Sequence, residues 1–244
     1  MKKFLIFFVM LSASSSAAAQ GELTGVFRLS QTPIEVMGEQ AALELDEKVP
    51  ADEKLRWQIF VPENYNPARP PGIFVFLDPK GWGGIPDMWR PVFTDHNLIW
   101  VGPNKNEPKQ TMEKQIWHAV MGLRAIEQQY DIDLNRVYIG SAYETAIASV
   151  NTQLSNNDFR GAVYMRGSVM WKTLPADRLE MMQRKRHVFI TGTNDKLQGR
   201  IRADYNSYKD SGIENAKLIF DTKRIDRMPA PDHMVEAIRY LDGN

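Results

Sequence analysis

The chain has 244 residues, balances 30 Lys and Arg against 30 Asp and Glu, and contains no cysteine. A neutral chain without a dominant basic patch implies neither nucleic acid nor an anionic membrane surface as partner. The lack of cysteine excludes disulfides, zinc–thiolate centres, dithiol redox motifs and a cysteine nucleophile.

The N-terminus reads as a targeting segment. Lys2 and Lys3 precede an apolar run from Phe4 to Leu11 and a small-residue stretch ending Ala17-Ala18-Ala19. That is the pattern of a secretory signal peptide over residues 1–19, cut after Ala19. The run is shorter than the ~20 apolar residues needed to span a bilayer. No cysteine lies at the cut, so no lipid anchor is expected. The remaining residues 20–244, with a net charge of −2, suit one domain that is exported to the periplasm or beyond.

Residues 23–48 carry short alternating pieces, Gly25-Val-Phe-Arg-Leu and Ala42-Leu-Glu-Leu, read as antiparallel edge strands. Leu55 to Val61 alternates like a half-buried strand, ended by Pro62 and a Pro- and Asn-rich loop. Ile73 to Leu77 is a continuous apolar run, which suits a strand covered on both faces. A strand at 98–102 follows. Met112, Ile116, Ala119, Leu123, Ile126 and Tyr130 recur at helical spacing over 111–130, with Thr111 as N-cap. Strands are expected at 136–140, 159–165, 188–191 and 216–220. Helices are expected at 143–154, 199–211 (stopped by Gly212) and 231–242. This alternation predicts an α/β fold with a mainly parallel sheet, helices on both faces and antiparallel strands at the leading edge. Trp57, Trp100 and Trp117 fall on strands or a helix and are assigned to the core. The run Gln183-Arg-Lys-Arg-His187 reads as a solvated loop.

Four pieces carry a family likeness. They are Phe60-Val-Pro-Glu-Asn-Tyr65, Pro71-Gly-Ile-Phe-Val-Phe-Leu77, Asp133-Leu-Asn-Arg-Val-Tyr-Ile139 and Ile190-Thr-Gly-Thr-Asn-Asp195. In this order and spacing the chain, from about Trp57 to Asp242, resembles the secreted polyhydroxybutyrate-depolymerase-like and esterase D-like branch of the α/β-hydrolases. The resemblance implies a serine at the tip of a strand-to-helix turn, a histidine before the last helix, an acid after a late strand, and an oxyanion loop.

The chain departs from that pattern at three of the four places. The turn reads Gly140-Ser-Ala-Tyr-Glu, so Tyr143 stands at the serine position and Ser141 lies two residues early. The loop before the last helix, 224–229, puts Asp226 or Arg227 at the histidine position; His233 is the rescue candidate. The oxyanion loop reads Asp78-Pro-Lys-Gly-Trp-Gly-Gly84, and Pro79 has no N–H to donate. Asp195 stands where the family's acid does, with a turn-forming role as the alternative. A phenol has a pKa near ~10 and needs a base beside it to act as nucleophile. An arginine cannot replace a general base.

The expectation is therefore a hydrolase-like protein that has lost serine-hydrolase chemistry and acts as a binding or accessory protein. The alternative is a carboxylic-ester hydrolase with a rearranged site built from Ser141 or Tyr143, Asp195 and His233. Trp82, Gly83, Trp89, Tyr143, Arg166 and Trp171 are the candidate contacts for a small molecule, sugar or peptide. No metal is expected, because His96, His118, His187 and His233 show no metal-ligand spacing, and no cofactor is expected.

Overall fold

The computed structural model describes residues 23–45, 47–104, 110–167, 174–222 and 228–244. The leader over 1–19, Trp171 and the 223–227 stretch holding Asp226 and Arg227 lie outside the described residues.

Among the described residues eight strands form one sheet. They are β1 (Gly25–Gln31), β2 (Leu55–Val61), β3 (Gly72–Leu77), β4 (Leu98–Asn104), β5 (Val137–Ala142), β6 (Gly161–Met165), β7 (Arg186–Gly192) and β8 (Ala216–Asp221), in the order β1-β2-β4-β3-β5-β6-β7-β8. β2 runs antiparallel to both β1 and β4. Every later pair is parallel. The fold is thus α/β, with the parallel sheet and antiparallel leading strands that the sequence implies.

Among the described residues eight α-helices accompany the sheet: α1 (Pro33–Met37), α2 (Glu39–Leu43), α3 (Arg90–Asp95), α4 (Met112–Glu127), α5 (Ala146–Ser155), α6 (Ala176–Gln183), α7 (Gln198–Asp210) and α8 (Pro231–Asp242). The alternation along each strand splits the core in two. Ile73, Val75, Ile99, Val101, Val137 and Ile139 face one side, where α4, α5 and α7 supply Leu123, Val150 and Tyr208. Phe74, Phe76, Trp100 and Tyr138 face the other, where α3 and α8 supply Phe93, Met234 and Ile238.

The segment 33–43 corrects the sequence reading. Ala42-Leu-Glu-Leu alternates like a strand, yet residues 39–43 are helical. Thr32 and Glu35 form a reciprocal capping box and Pro33 occupies the first turn, so a helix starts there. A second short helix follows at Gly38, where φ is +85°, and Ala42 is buried.

The basic run at 184–186 is also not a solvated loop. Arg186 opens β7, while Lys185 and His187 are buried. At this N-terminal edge Arg136 donates from Nε and Nη2 to Asp242 at 2.9 Å each, and Tyr138 donates to the same carboxylate at 2.7 Å. These bonds pin the end of α8 to the start of β5. Trp57 and Trp100 are fully buried, and Trp117 packs partly buried against the core.

Candidate functional site

The C-terminal ends of β5, β6 and β7 set three side chains in a row. Tyr143 directly follows β5 and adopts a φ of +52°. A non-glycine residue enters this left-handed region at a cost of roughly 1–2 kcal/mol. The turn is held from several sides. Thr145 Oγ1 accepts from Ala142 N (3.2 Å) and donates to Leu77 O (2.8 Å). Gly167 packs so close to the Tyr143 backbone that a β-carbon there would collide with it. Tyr143 therefore occupies the tip of a strand–turn–helix elbow.

Arg166 follows β6, also with positive φ (+53°), and its backbone N–H donates to Ile190 O at 2.9 Å. Its guanidinium carbon lies 5.2 Å from the centre of the Tyr143 ring, a cation–π arrangement. On its other side Arg166 Nε is 3.7 Å from Asp195 Oδ2. Asp195, after β7, is buried. Its Oδ2 accepts from Thr191 Oγ1 (2.8 Å) and its Oδ1 from Leu197 N (2.9 Å). The sequence-predicted residues Tyr143, Arg166 and Asp195 are thus brought together, with the arginine between the elbow residue and the acid.

The loop after β3 is folded onto its own aspartate. Asp78 Oδ1 accepts from Lys80 N and Oδ2 from Trp82 N, each at 3.0 Å, and Asp78 O accepts from Gly81 N at 2.9 Å. Pro79 has no N–H. Four consecutive residues of this loop therefore offer no free backbone donor to a ligand oxygen. Gly83 belongs to packing: its carbonyl accepts from Trp100 Nε1 at 2.7 Å, and its φ is +69°. Its backbone lies so close to Gly102 that a β-carbon on either would overlap the other.

A cleft of about 630 Å³ opens beside the elbow, walled by Phe76, Pro79, Pro86, Met88, Tyr143 and Met228, with Asp78, Lys80, Gly84 and Asp87 at its polar parts. Gly84, not Gly83, lines it. Met88 and Met228 are contacts the sequence reading missed. A single methionine in a one-turn 3-10 helix (Asp87–Trp89) or on a loop carries no local pattern, so nothing in the sequence singles them out.

Other candidates fall elsewhere. Ser141 is fully buried within β5, in register with Leu77 and Tyr164, and its hydroxyl has no hydrogen-bond partner among the described residues. As strand residues alternate, it faces away from Tyr138 and Ala142, so it is not presented to a substrate. Trp89 is fully buried rather than a ligand contact: its indole donates to Pro229 O (2.9 Å) and its ring packs against Phe76 and Trp100. Trp82 is 75 % exposed. His233 sits in the first turn of α8, with Nδ1 3.6 Å from Asp221 Oδ2 at the end of β8. It thus lies beside a second acid, Asp221.

The sheet order, the elbow and the acid after β7 define an α/β-hydrolase fold. Comparison with solved structures agrees. A ferulic acid esterase aligns with a TM-score of 0.62 at 12 % identity, over 89 % of this chain and 99 % of that one. The S-formylglutathione hydrolase FrmB from Staphylococcus aureus aligns at 0.61 and 11 % identity, over 92 % and 99 %. A thermostable esterase aligns at 0.60 and 17 % identity, over 80 % of this chain and 61 % of that chain. At these identities the likeness establishes the fold alone. No protein-family model and no curated protein sequence matches the chain.

Proposed function

We propose that this is an exported α/β-hydrolase-like protein that binds a small ligand in the crevice beside Tyr143 and does not hydrolyse esters. One observation carries the reading: Arg166 lies between Tyr143 and Asp195. Ester hydrolysis by this fold needs a group between nucleophile and acid that takes a proton and returns it. A guanidinium does not give up its proton in proteins, and a phenol without a base is a poor nucleophile at neutral pH. The inward-turned loop at Asp78 supports the same reading, because stabilising an oxyanion requires free donors aimed at it.

The apolar walls formed by Phe76, Met88 and Met228, with the Tyr143 ring, suit a small molecule with an apolar or aromatic face, such as an aromatic acid, a sugar or a short peptide. The Lys2-Lys3 leader with its apolar run and Ala17-Ala-Ala19 supports export.

The competing reading is an ester hydrolase with Tyr143 as nucleophile, and the names of the structural neighbours lend it weight. The test is turnover of p-nitrophenyl acetate and butyrate, with labelling by a fluorophosphonate probe. The expected result is neither turnover above the blank nor labelling. Turnover that disappears in Tyr143→Phe would establish the competing reading.

A further inference from the structure

A second cavity, of about 650 Å³, lies at the other edge of the sheet, where β5 to β8 begin. Arg160, Lys185 and Arg186 line it. Among the described residues none of the three has a carboxylate within ion-pair distance; each donates to backbone carbonyls. Lys185 Nζ reaches Gln153 O (2.5 Å) and Asn156 O (3.0 Å), Arg186 Nη1 reaches Leu241 O (2.9 Å), and Arg160 Nε reaches Leu134 O (3.4 Å).

The first two sets of carbonyls are the C-terminal ends of α5 and α8. A helix end offers roughly half a negative charge, which does not cancel a full cation. The two acids on the wall, Asp177 and Glu180, are paired with Arg178 and Arg184. A surplus of positive charge therefore remains along the cavity wall. Burial, then repulsion from Arg160, lowers the Lys185 ammonium to about 8, against the opposing pull of Asp158, which is itself paired with Arg124. A buried cation held in this state gains from an anion that enters beside it.

We propose that this cavity binds a phosphate or sulfate monoester of a small polyol or sugar. Three cations lining one space, two of them arginines with N–H groups left over from their carbonyl bonds, suit an oxyanion carrying several acceptor oxygens, and guanidinium forks match its geometry. The volume exceeds what a bare oxyanion fills and lies in the range of small-molecule sites. The apolar side chains of Phe159 and Leu241 on the wall offer a surface to the organic part. The proposal is independent of the crevice reading, because the two cavities lie at opposite edges of the sheet.

The test is calorimetric titration of the purified protein with glucose 6-phosphate, glucose 6-sulfate, inorganic phosphate and glucose, at constant ionic strength. The phosphate or sulfate ester is expected to bind saturably and more tightly than inorganic phosphate, and glucose not at all. The ratio of the two esters tells which oxyanion the site takes. Arg160→Gln is expected to weaken binding about tenfold without changing the melting temperature, because Arg160 is exposed. Arg160→Gln with Arg186→Gln is expected to abolish it. Backbone amide shifts near Asn215 report the same site should either variant lose stability. No saturable binding of either ester at millimolar concentration would overturn the proposal, as would equal binding of glucose or affinity that survives the double substitution. Equal affinity for inorganic phosphate and the ester would overturn the organic half of it.

Discussion

Replacing Asp195 by alanine separates a structural acid from a catalytic one. In a working triad the acid orients a base, and its loss is read mainly in turnover. Here Asp195 is buried, accepts from Thr191 Oγ1 and Leu197 N, and faces Arg166 Nε at 3.7 Å. Hydrogen bonds to a charged acceptor contribute about 1.5–3 kcal/mol each. Taking away one member of a largely buried ion pair leaves the other uncompensated, but Arg166 keeps the Tyr143 ring, worth about 0.5–2 kcal/mol. These terms overlap, and a net loss of about 3 kcal/mol is expected for Asp195→Ala. At about 2–4 °C per kcal/mol for a domain of this size, the melting temperature should fall by about 6–12 °C. Thr191→Val, which removes one donor and keeps the acid, should cost only about 1 kcal/mol. The assay is thermal unfolding by circular dichroism, with urea midpoints as a check. A melting temperature for Asp195→Ala within about 2 °C of the parent would refute the account of Asp195 as the anchor of Arg166.

Tyr143→Ser places a hydroxyl at the elbow tip but leaves Arg166 beside it, so p-nitrophenyl acetate turnover should stay near the blank; a rise of about 100-fold, the scale of general-base assistance, would mean that a base reaches the tip. His118 and His187 are buried and neutral, each lowered to about 4, chiefly by burial. The unfolded chain then binds more protons below about 6.5, so stability rises with pH between about 4 and 6.5 and is lost as pH falls through that window. The two together account for about 7 kcal/mol, and urea midpoints that stay flat from pH 7 to 4.5, or a His187→Gln variant with an unchanged slope, would count against it. Gly102→Ala drives a β-carbon into the Gly83 backbone; since neither chain can yield cheaply, the expected cost exceeds the usual overpacking loss of about 1–3 kcal/mol, and an unchanged melting temperature would contradict the close approach.

The strands were legible because each is either an apolar run or a clean alternation, and the sheet buries both faces of the middle ones. The helices left out of the sequence reading lacked that signal. α6 buries only Met182 of its eight residues, and α3 has six residues with Pro91 in its first turn. The piece at 42–45 alternates with a period of two, yet it lies at the end of a short helix, Glu39–Leu43, that starts at Gly38 without a side-chain cap, so no local signal marks it as helical. In the site, Tyr143 could be placed because it directly follows β5, and Asp195 because it ends the short turn after β7. The ion pair linking Arg166 to Asp195 could not be read, since it joins the ends of neighbouring strands. Trp89 looked like a loop aromatic, yet its indole is bonded to Pro229, 140 residues away. The basic run at 184–186 looked solvated because composition ignores register, and register carries Lys185 and His187 inward.

The elbow also says something about what is kept. Both Tyr143 and Arg166 sit at positive φ, where glycine would cost nothing and each of these residues costs roughly 1 kcal/mol or more. A turn that had simply lost its purpose would be free to relax toward glycine. Instead the strained positions carry two large side chains that touch each other, and the tyrosine walls the cleft while the arginine holds the acid. Strain of this kind persists when surrounding structure over-determines it and tends to mark sites in use. Thr145, Gly167 and the bond from Arg166 N to Ile190 O supply that over-determination. The backbone that elsewhere presents a nucleophile here presents an aromatic ring backed by a fixed charge. That is a surface suited to holding a ligand face, which is why the crevice reading rests on Tyr143 and Arg166 together rather than on the absence of a serine.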